Sequence, residues 1–197
     1  LAACAGGVQP AQALGQLEAP ADLVLERRTL SWSPVANAEE YVILINGEEE
    51  QRTEACMADL LDLAGPATYT ISVSAVGEGY TPFEGVTVSL TLGEAVAQYY
   101  DESGLLYRLL SDGTGYSVHH GRHSLEGDVV IQSFVGDYPV KELAENAFSS
   151  TSFEKSPFDG AKCYDGITSV TLPDYLTTIR EYALACLISV EELYLPD

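Results

Sequence analysis

The chain repeats one stretch near its C-terminal end, Gly160-Ala-Lys-Cys-Tyr-Asp-Gly-Ile-Thr-Ser-Val-Thr-Leu-Pro-Asp174, as Ala183-Leu-Ala-Cys-Leu-Ile-Ser-Val-Glu-Glu-Leu-Tyr-Leu-Pro-Asp197. The offset is 23 residues, which is the separation of Cys163 from Cys186. A fixed period of this length is typical of a solenoid, in which each coil buries its apolar face against its neighbours. The repeat therefore predicts a stacked array in the C-terminal half of the chain.

Each repeat contains the pattern of a half-buried strand. Val170 and Leu172 alternate with Ser169 and Thr171, which is the two-residue period of a strand with one apolar face. Pro173 lacks the backbone N–H that a ladder needs, so the strand is expected to end there.

A divergent copy lies upstream. Val129-Val-Ile131 resembles the strand, and Val140–Phe148 resembles Leu176–Leu184, with an insertion around Ser149 to Phe158. An atypical unit is expected at the end of an array, because it must cap an open core. Upstream of this copy, Asp112-Gly113 between the alternating runs of Leu106–Val118 predicts a β-hairpin, interpreted as an N-terminal cap that covers the array's edge.

A strand that ends in Leu-Pro-Asp and a following turn similar to Ile-x-x-Ala-Phe resemble the BspA-like leucine-rich repeats of bacterial surface proteins. The resemblance covers Leu106–Asp197 and implies a leucine-rich repeat array, here incomplete at its C-terminal end. Relatives of this kind are associated with adhesion to host or matrix proteins.

The same strand pattern predicts a binding surface. If Val170 and Leu172 point inward, Ser169 and Thr171 point outward. The 23-residue offset places Glu192 and Tyr194 beside them, one coil further on. We therefore predict that Ser169, Thr171, Glu192 and Tyr194 form an exposed binding face.

Residues 21–93 carry only strand signals. Short apolar runs are separated by turn residues, and their spacing predicts a small antiparallel sandwich. The predicted strands are Asp22–Glu26, Thr29–Ser33, Glu40–Asn46, Tyr69–Val76 and Gly85–Leu92.

Leu30–Tyr41, followed by Tyr69–Val76, looks like a fibronectin type III domain. The resemblance implies that Trp32 is the core tryptophan and that Tyr69, six residues after Leu63, lies at the tyrosine corner. The loop Gly77-Glu-Gly-Tyr80 lacks Arg-Gly-Asp, so integrin binding is not implied.

Leu1-Ala-Ala-Cys4 reads like the end of a bacterial lipoprotein signal, ahead of a tether rich in small residues from Ala5 to Pro20. This pattern predicts a lipid on Cys4 and an extracellular, membrane-anchored lipoprotein at the cell surface. The domain prediction is accordingly a lipobox and tether at 1–20, a sandwich at 21–93, a linker at 94–104 and a repeat array at 105–197.

The charge is strongly acidic, with 30 Asp and Glu against 9 Lys and Arg and a formal net charge of −21. Such a surface repels nucleic acid, because it cannot replace the counterions of phosphates. The sequence also contains no apolar run long enough to span a membrane.

Candidates for chemistry are few. His119, His120 and His123 could hold a transition metal, although a solvated loop is the preferred interpretation. Cys163 and Cys186 are expected to stack in adjacent coils as small core side chains, with a disulfide as the alternative. Cys56 is expected to be buried in the sandwich. No catalytic motif is present, so we predict no catalytic residues and no cofactor.

Together these patterns predict a mainly β protein: a fibronectin type III-like sandwich, then a leucine-rich repeat solenoid capped by a hairpin. The function predicted is adhesion or binding of an extracellular protein or glycan ligand, without catalysis. The alternative is the accessory region of a larger secreted hydrolase.

Overall fold

The structure is a computed structural model that describes residues 15–83, 85–121, 125–148 and 166–196. Cys4, His123, Cys163 and Asp197, which the sequence singles out, lie outside the described residues. The chain divides into two compact units, Leu1–Leu60 with Thr68–Thr91 and Leu61–Ala67 with Leu92–Asp197. The described residues form strands and turns and include no helix that could cross a membrane. The prediction of a mainly β protein is confirmed.

The first nine strands form one short pair and two larger antiparallel sheets. The three-stranded sheet has the order β2-β3-β6 and the four-stranded sheet has the order β5-β4-β7-β9, while β1 pairs with β8. The strands are β1 (Gly15–Gln16), β2 (Ala21–Glu26), β3 (Thr29–Ser33), β4 (Glu40–Ile45), β5 (Glu48–Thr53), β6 (Met57–Asp59), β7 (Ala67–Val76), β8 (Tyr80–Thr81) and β9 (Val86–Leu92).

Alternation along the strands explains the core of this unit. Ile71, Val73 and Ala75 of β7 are fully buried, as the sequence pattern predicted. Trp32 of β3 packs edge-on against Tyr41 of β4, with ring centroids 5.2 Å apart. This contact joins the two sheets, and an aromatic pair in such an arrangement contributes about 0.5–1.5 kcal/mol beyond its buried area.

The exposed acidic run Glu48–Glu50 begins strand β5, which the apolar patterns do not predict and which pairs with β4 across the turn at Asn46 and Gly47. Both turn residues have positive φ, which suits a tight hairpin. Two expectations about this unit need correction: the burial of Cys56 and the extent of the N-terminal tether.

Cys56 is half-buried rather than buried, and it is a free thiol 3.7 Å from the Tyr41 hydroxyl. Tyr69, which the resemblance places at a tyrosine corner, is also half-buried. The predicted tether of residues 1–20 does not extend as far as Pro20. Gly15–Gln16 pair with β8, and Leu17 is buried and bonded through its N–H to the Thr81 carbonyl.

The second unit contains two ladders of parallel strands. The six-stranded sheet runs β10-β11-β12-β15-β14 with β17 on β15, and the three-stranded sheet runs β13-β16-β18. The strands are β10 (Gln98–Tyr100), β11 (Leu106–Leu109), β12 (Tyr116–His119), β13 (Gly127–Val130), β14 (Phe134–Val135), β15 (Tyr138–Leu143), β16 (Ile167–Thr171), β17 (Thr178–Ile179) and β18 (Glu192–Tyr194).

The predicted hairpin is confirmed, because β11 pairs antiparallel with β12 across a turn in which Gly113 has positive φ. Strand β12 then pairs in parallel with β15, and β15 pairs in parallel with β17. On the other ladder, Val129, Val170 and Leu193 are successive partners. The partnership of Val170 with Leu193 has the 23-residue offset seen in the sequence.

Residues 94–104, predicted as a linker, belong to the sheet of the second unit instead. Gln98–Tyr100 form β10 on the edge of β11. Three buried tyrosine hydroxyls hold the segment: Tyr107 donates to Asp101, Tyr116 to the Val96 carbonyl and Tyr138 to the Gly93 carbonyl. A buried phenol needs a hydrogen-bond acceptor, so these tyrosines order a segment with no strand pattern of its own.

Candidate functional site

The predicted binding face lies on the ladder of β13, β16 and β18. Parallel pairing places Ser169 beside Glu192 and Thr171 beside Tyr194, as predicted. Neighbouring strands are about 4.8 Å apart, so paired side chains touch across the ladder. Between these two rows, Val170 is fully buried and anchors β16 to the core.

Two residues of this face were not predicted. Asp128 pairs with Ser169 and Val130 pairs with Thr171, which extends the face onto β13. The upstream copy Val129-Val-Ile131 was recognised in the sequence, and applying the repeat pattern to it would have identified both residues. The strand face consists of Asp128, Val130, Ser169, Thr171, Glu192 and Tyr194.

Asp128 is held by two hydroxyls of the next strand. Its carboxylate accepts hydrogen bonds from Ser169 Oγ at 2.7 Å and from Thr168 Oγ1 at 3.1 Å. The ladder register shifts between Gly127 and Asp128, so Thr168 is an extra residue opposite them. A bulge of this kind turns two consecutive side chains toward one partner, which explains why both hydroxyls reach the same carboxylate.

Tyr194 and Val130 supply the apolar part of the strand face. Tyr194 is 51% exposed and Val130 is 64% exposed. The Tyr194 hydroxyl donates to the Glu192 carboxylate, and this hydrogen bond raises the pKa of the phenol, as do the negative charges of Glu192 and Asp128. The single O–H of the phenol is thus used within the face, and its oxygen can accept a hydrogen bond from a partner.

The carboxylates of the β13–β16–β18 ladder and of the turn after β16 have different tasks. Asp174, in the Leu-Pro-Asp motif after β16, accepts from Ser133 Oγ at 2.9 Å and donates its own N–H back to that oxygen at 3.1 Å. It ties the turn to the preceding coil and is structural. Asp128 and Glu192 lie on the exposed strands, where a partner can reach them.

The histidine residues are not arranged around a common centre in the part of the chain that the structure describes. His119 Nε2 is 2.9 Å from Ser117 Oγ, two residues earlier on strand β12. Burial, together with the charge of Arg108, lowers the pKa of His119 to about 4. No group of three or more potential ligand residues able to hold a metal ion occurs among the described residues.

Cys186 is buried, as expected, but it is disulfide-bonded instead of being a free core thiol. Its partner lies outside the described residues. The predicted stacking of Cys186 with Cys163 therefore remains a prediction.

Comparisons with known proteins add little. No family model and no curated protein matches the chain. A solved structure titled "Structure of FN3tt mut" is similar at 24% identity, covering 36% of this chain and 86% of its own, with a TM-score of 0.30.

Proposed function

We propose that this protein is a non-catalytic recognition protein of the bacterial cell surface, which binds a protein partner through the strand face. The observation that carries the proposal is the continuity of that face over three parallel strands. Solenoids commonly use such extended faces for recognition, and an exposed tyrosine is a frequent hot-spot residue.

The proposed architecture is a fibronectin type III-like spacer followed by BspA-like leucine-rich repeats. The three-stranded and four-stranded sheets with Trp32 between them support the first part. The 23-residue offset of Val170 and Leu193 in the β16–β18 ladder supports the second.

The chemistry of the strand face favours a cationic partner. Its six residues include two carboxylates and no cationic side chain, and the whole chain carries a formal charge of −21. Such a field attracts a basic protein surface and raises the association rate, in a manner that salt screens. Lys and Arg of the partner would pair with Asp128 and Glu192, and its apolar groups would cover Tyr194 and Val130.

We also propose attachment to the membrane through a lipid on Cys4, which lies outside the described residues. The support is the Leu1-Ala-Ala-Cys4 pattern alone. Expression behind a complete lipoprotein signal with a labelled fatty acid should label the protein, and Cys4→Ser should abolish the label. Equal labelling of both proteins would exclude this anchor.

The binding proposal can be tested by biolayer interferometry of the chain against a panel of purified extracellular-matrix proteins. For each protein bound, Tyr194→Ala should weaken binding by about tenfold or more, because it removes an exposed aromatic anchor. Asp128→Asn should slow association, most clearly at low salt.

The matched control is a double substitution of His120 and His123 by alanine, which leaves the Ser117–His119 hydrogen bond intact. This variant should bind like the parent. Binding lost in the histidine variant and retained in Tyr194→Ala would move the site away from the strand face.

A further inference from the structure

A second site is present on the other ladder of the second unit. A cavity of about 330 Å³ lies where β15 and β17 meet the turn between β11 and β12. Its volume is at the lower end of the range for small-molecule sites, which are usually lined by apolar side chains. This cavity is lined instead mainly by hydroxyl and charged groups, so a polar ligand fits it better than an apolar one.

Lys141 is the central group of the cavity wall. Its side chain is 9% exposed, and its ammonium donates to Asp62 Oδ1 at 2.7 Å and to Thr114 Oγ1 at 3.1 Å. An ammonium has three N–H donors, and only these two have acceptors among the described residues. A buried cation needs its remaining donor satisfied, which a ligand oxygen in the cavity would do.

Four charged groups of the wall form two ion pairs. Lys141 is bridged to Asp62, and Arg180 is bridged to Glu142 at 2.7 Å. Asp112 adds a further negative charge, because hydrogen bonds from Thr114 lower the pKa of its carboxyl. An anion would compete with these carboxylates for Lys141 and Arg180, and a cation at Asp62 or Glu142 would compete with the Lys141 ammonium or the Arg180 guanidinium.

We infer that this cavity binds a neutral polyhydroxylated ligand, a single sugar unit of a glycan. A sugar hydroxyl donates and accepts at once, so it can accept from Lys141 while donating to a carboxylate beside it. The hydroxyls of Thr178 and Ser111, which also line the cavity, supply further contacts of the same kind. The site is separate from the strand face and does not depend on a protein partner there.

Isothermal titration calorimetry of the whole chain tests the inference. The probes are D-glucose, D-galactose, D-mannose and N-acetyl-D-glucosamine, and inorganic phosphate is the anionic comparison. At least one sugar should bind, with a dissociation constant of about 1 mM. Lys141→Met and the isosteric Thr178→Val should each weaken binding by about tenfold, because each removes a hydrogen-bonding group from the wall.

The matched control is Arg52→Met, which breaks an ion pair with Glu40 and Glu49 in the first unit. It should bind sugar like the parent, as should Tyr194→Ala. Circular dichroism shows whether Lys141→Met remains folded, and Thr178→Val decides alone if it does not. The inference is overturned if no sugar binds saturably, if phosphate binds more tightly than every sugar, or if neither cavity variant weakens binding.

Discussion

The two units of this chain are both built from β-strands, but they close their cores differently. In the first unit, antiparallel sheets of three and four strands contribute opposite walls, and Trp32 meets Tyr41 between them. In the second unit, the ladder residue Val170 lies between Val129 of the preceding strand and Leu193 of the following one. The first core lies between two sheets, whereas the second extends from strand to strand along the ladder.

This difference makes burial depend on position along the ladder. Val129 is 3% exposed, Val170 is fully buried and Leu193, in the equivalent place on the outer strand, is 43% exposed. A core side chain of the first unit is buried by the opposite sheet. In the ladder, a residue at the equivalent position of each strand is buried only when a neighbouring strand covers it.

The largest effect is expected in the two-sheet core. Trp32→Ala should lower the free energy of unfolding by about 3–5 kcal/mol, because it removes a large buried side chain and its contact with Tyr41. Chemical unfolding followed by circular dichroism measures this, since Trp32 is the only tryptophan. Val24→Ala, at a position 47% exposed, is the control and should change little. A Trp32 variant as stable as the control would contradict this core.

The next largest loss of stability is expected from removing the disulfide of the second unit, since the described cysteine of the first unit is a free thiol. Cys186→Ser should cost about 2–4 kcal/mol, because it removes a cross-link from the unfolded state of the second unit. Peptide mapping by mass spectrometry should identify Cys163 as the partner of Cys186. The control is Cys56→Ser, which changes a free thiol in the first unit. Linkage of Cys186 to another cysteine would refute the predicted coil register at Cys163.

A smaller effect tests the dependence on ladder position directly. Val170→Ala should cost about 2 kcal/mol, since it removes buried carbon atoms and leaves a cavity between two strands. Leu193→Ala removes a larger group but should cost less than about 1 kcal/mol, because Leu193 is already partly in water. Urea unfolding of the two variants gives both values. A greater loss from Leu193→Ala would show that β18 is covered in solution.

The smallest effect concerns pH. Burial lowers the pKa of His119 to about 4 in the folded state, against about 6.5 in the unfolded chain. The unfolded state therefore binds more protons between these values, and stability is fully present above pH 6.5 and is lost as the pH falls toward 4. The ring is partly solvated, so screening limits the effect to about 1 kcal/mol.

Urea unfolding of the parent and His119→Gln at pH 7.5 and pH 5 measures this term apart from the carboxylates, which both proteins share. The parent should lose more stability than the variant on acidification. Equal losses would show that His119 does not couple folding to pH.

The sequence predicted elements wherever an apolar period was long enough. The alternation from Tyr69 to Val76 identified β7, and Asp112-Gly113 identified the β11–β12 hairpin. Strand β5 was missed because its residues, Glu48-Glu-Glu-Gln-Arg-Thr53, have no apolar alternation. It is an edge strand held by pairing with β4, and charged residues are common there because they discourage further pairing.

The candidate site also has a part that the sequence predicted and a part that it did not. The 23-residue period placed Ser169 beside Glu192 and Thr171 beside Tyr194, because one period determines register on adjacent coils. The same period, applied to the upstream copy, would also have placed Asp128 on the face, but not its contacts, because a bulge brings Thr168 and Ser169 to its carboxylate. Local residue order does not reveal a bulge, which arises from pairing.

By itself the sequence determined the strand-rich character, the acidic charge and the 23-residue register between β16 and β18, because these depend on composition and period alone. Only the tertiary structure decided the features that depend on hydrogen bonds between residues far apart in the sequence. Buried tyrosine hydroxyls drew residues 94–104 into a sheet, and the burial of Lys141 between Asp62 and Thr114 created a polar cavity. A buried polar group needs a hydrogen-bond partner, and that partner can come from a distant part of the chain. The spacing of residues in the sequence does not show which distant residues the fold brings together.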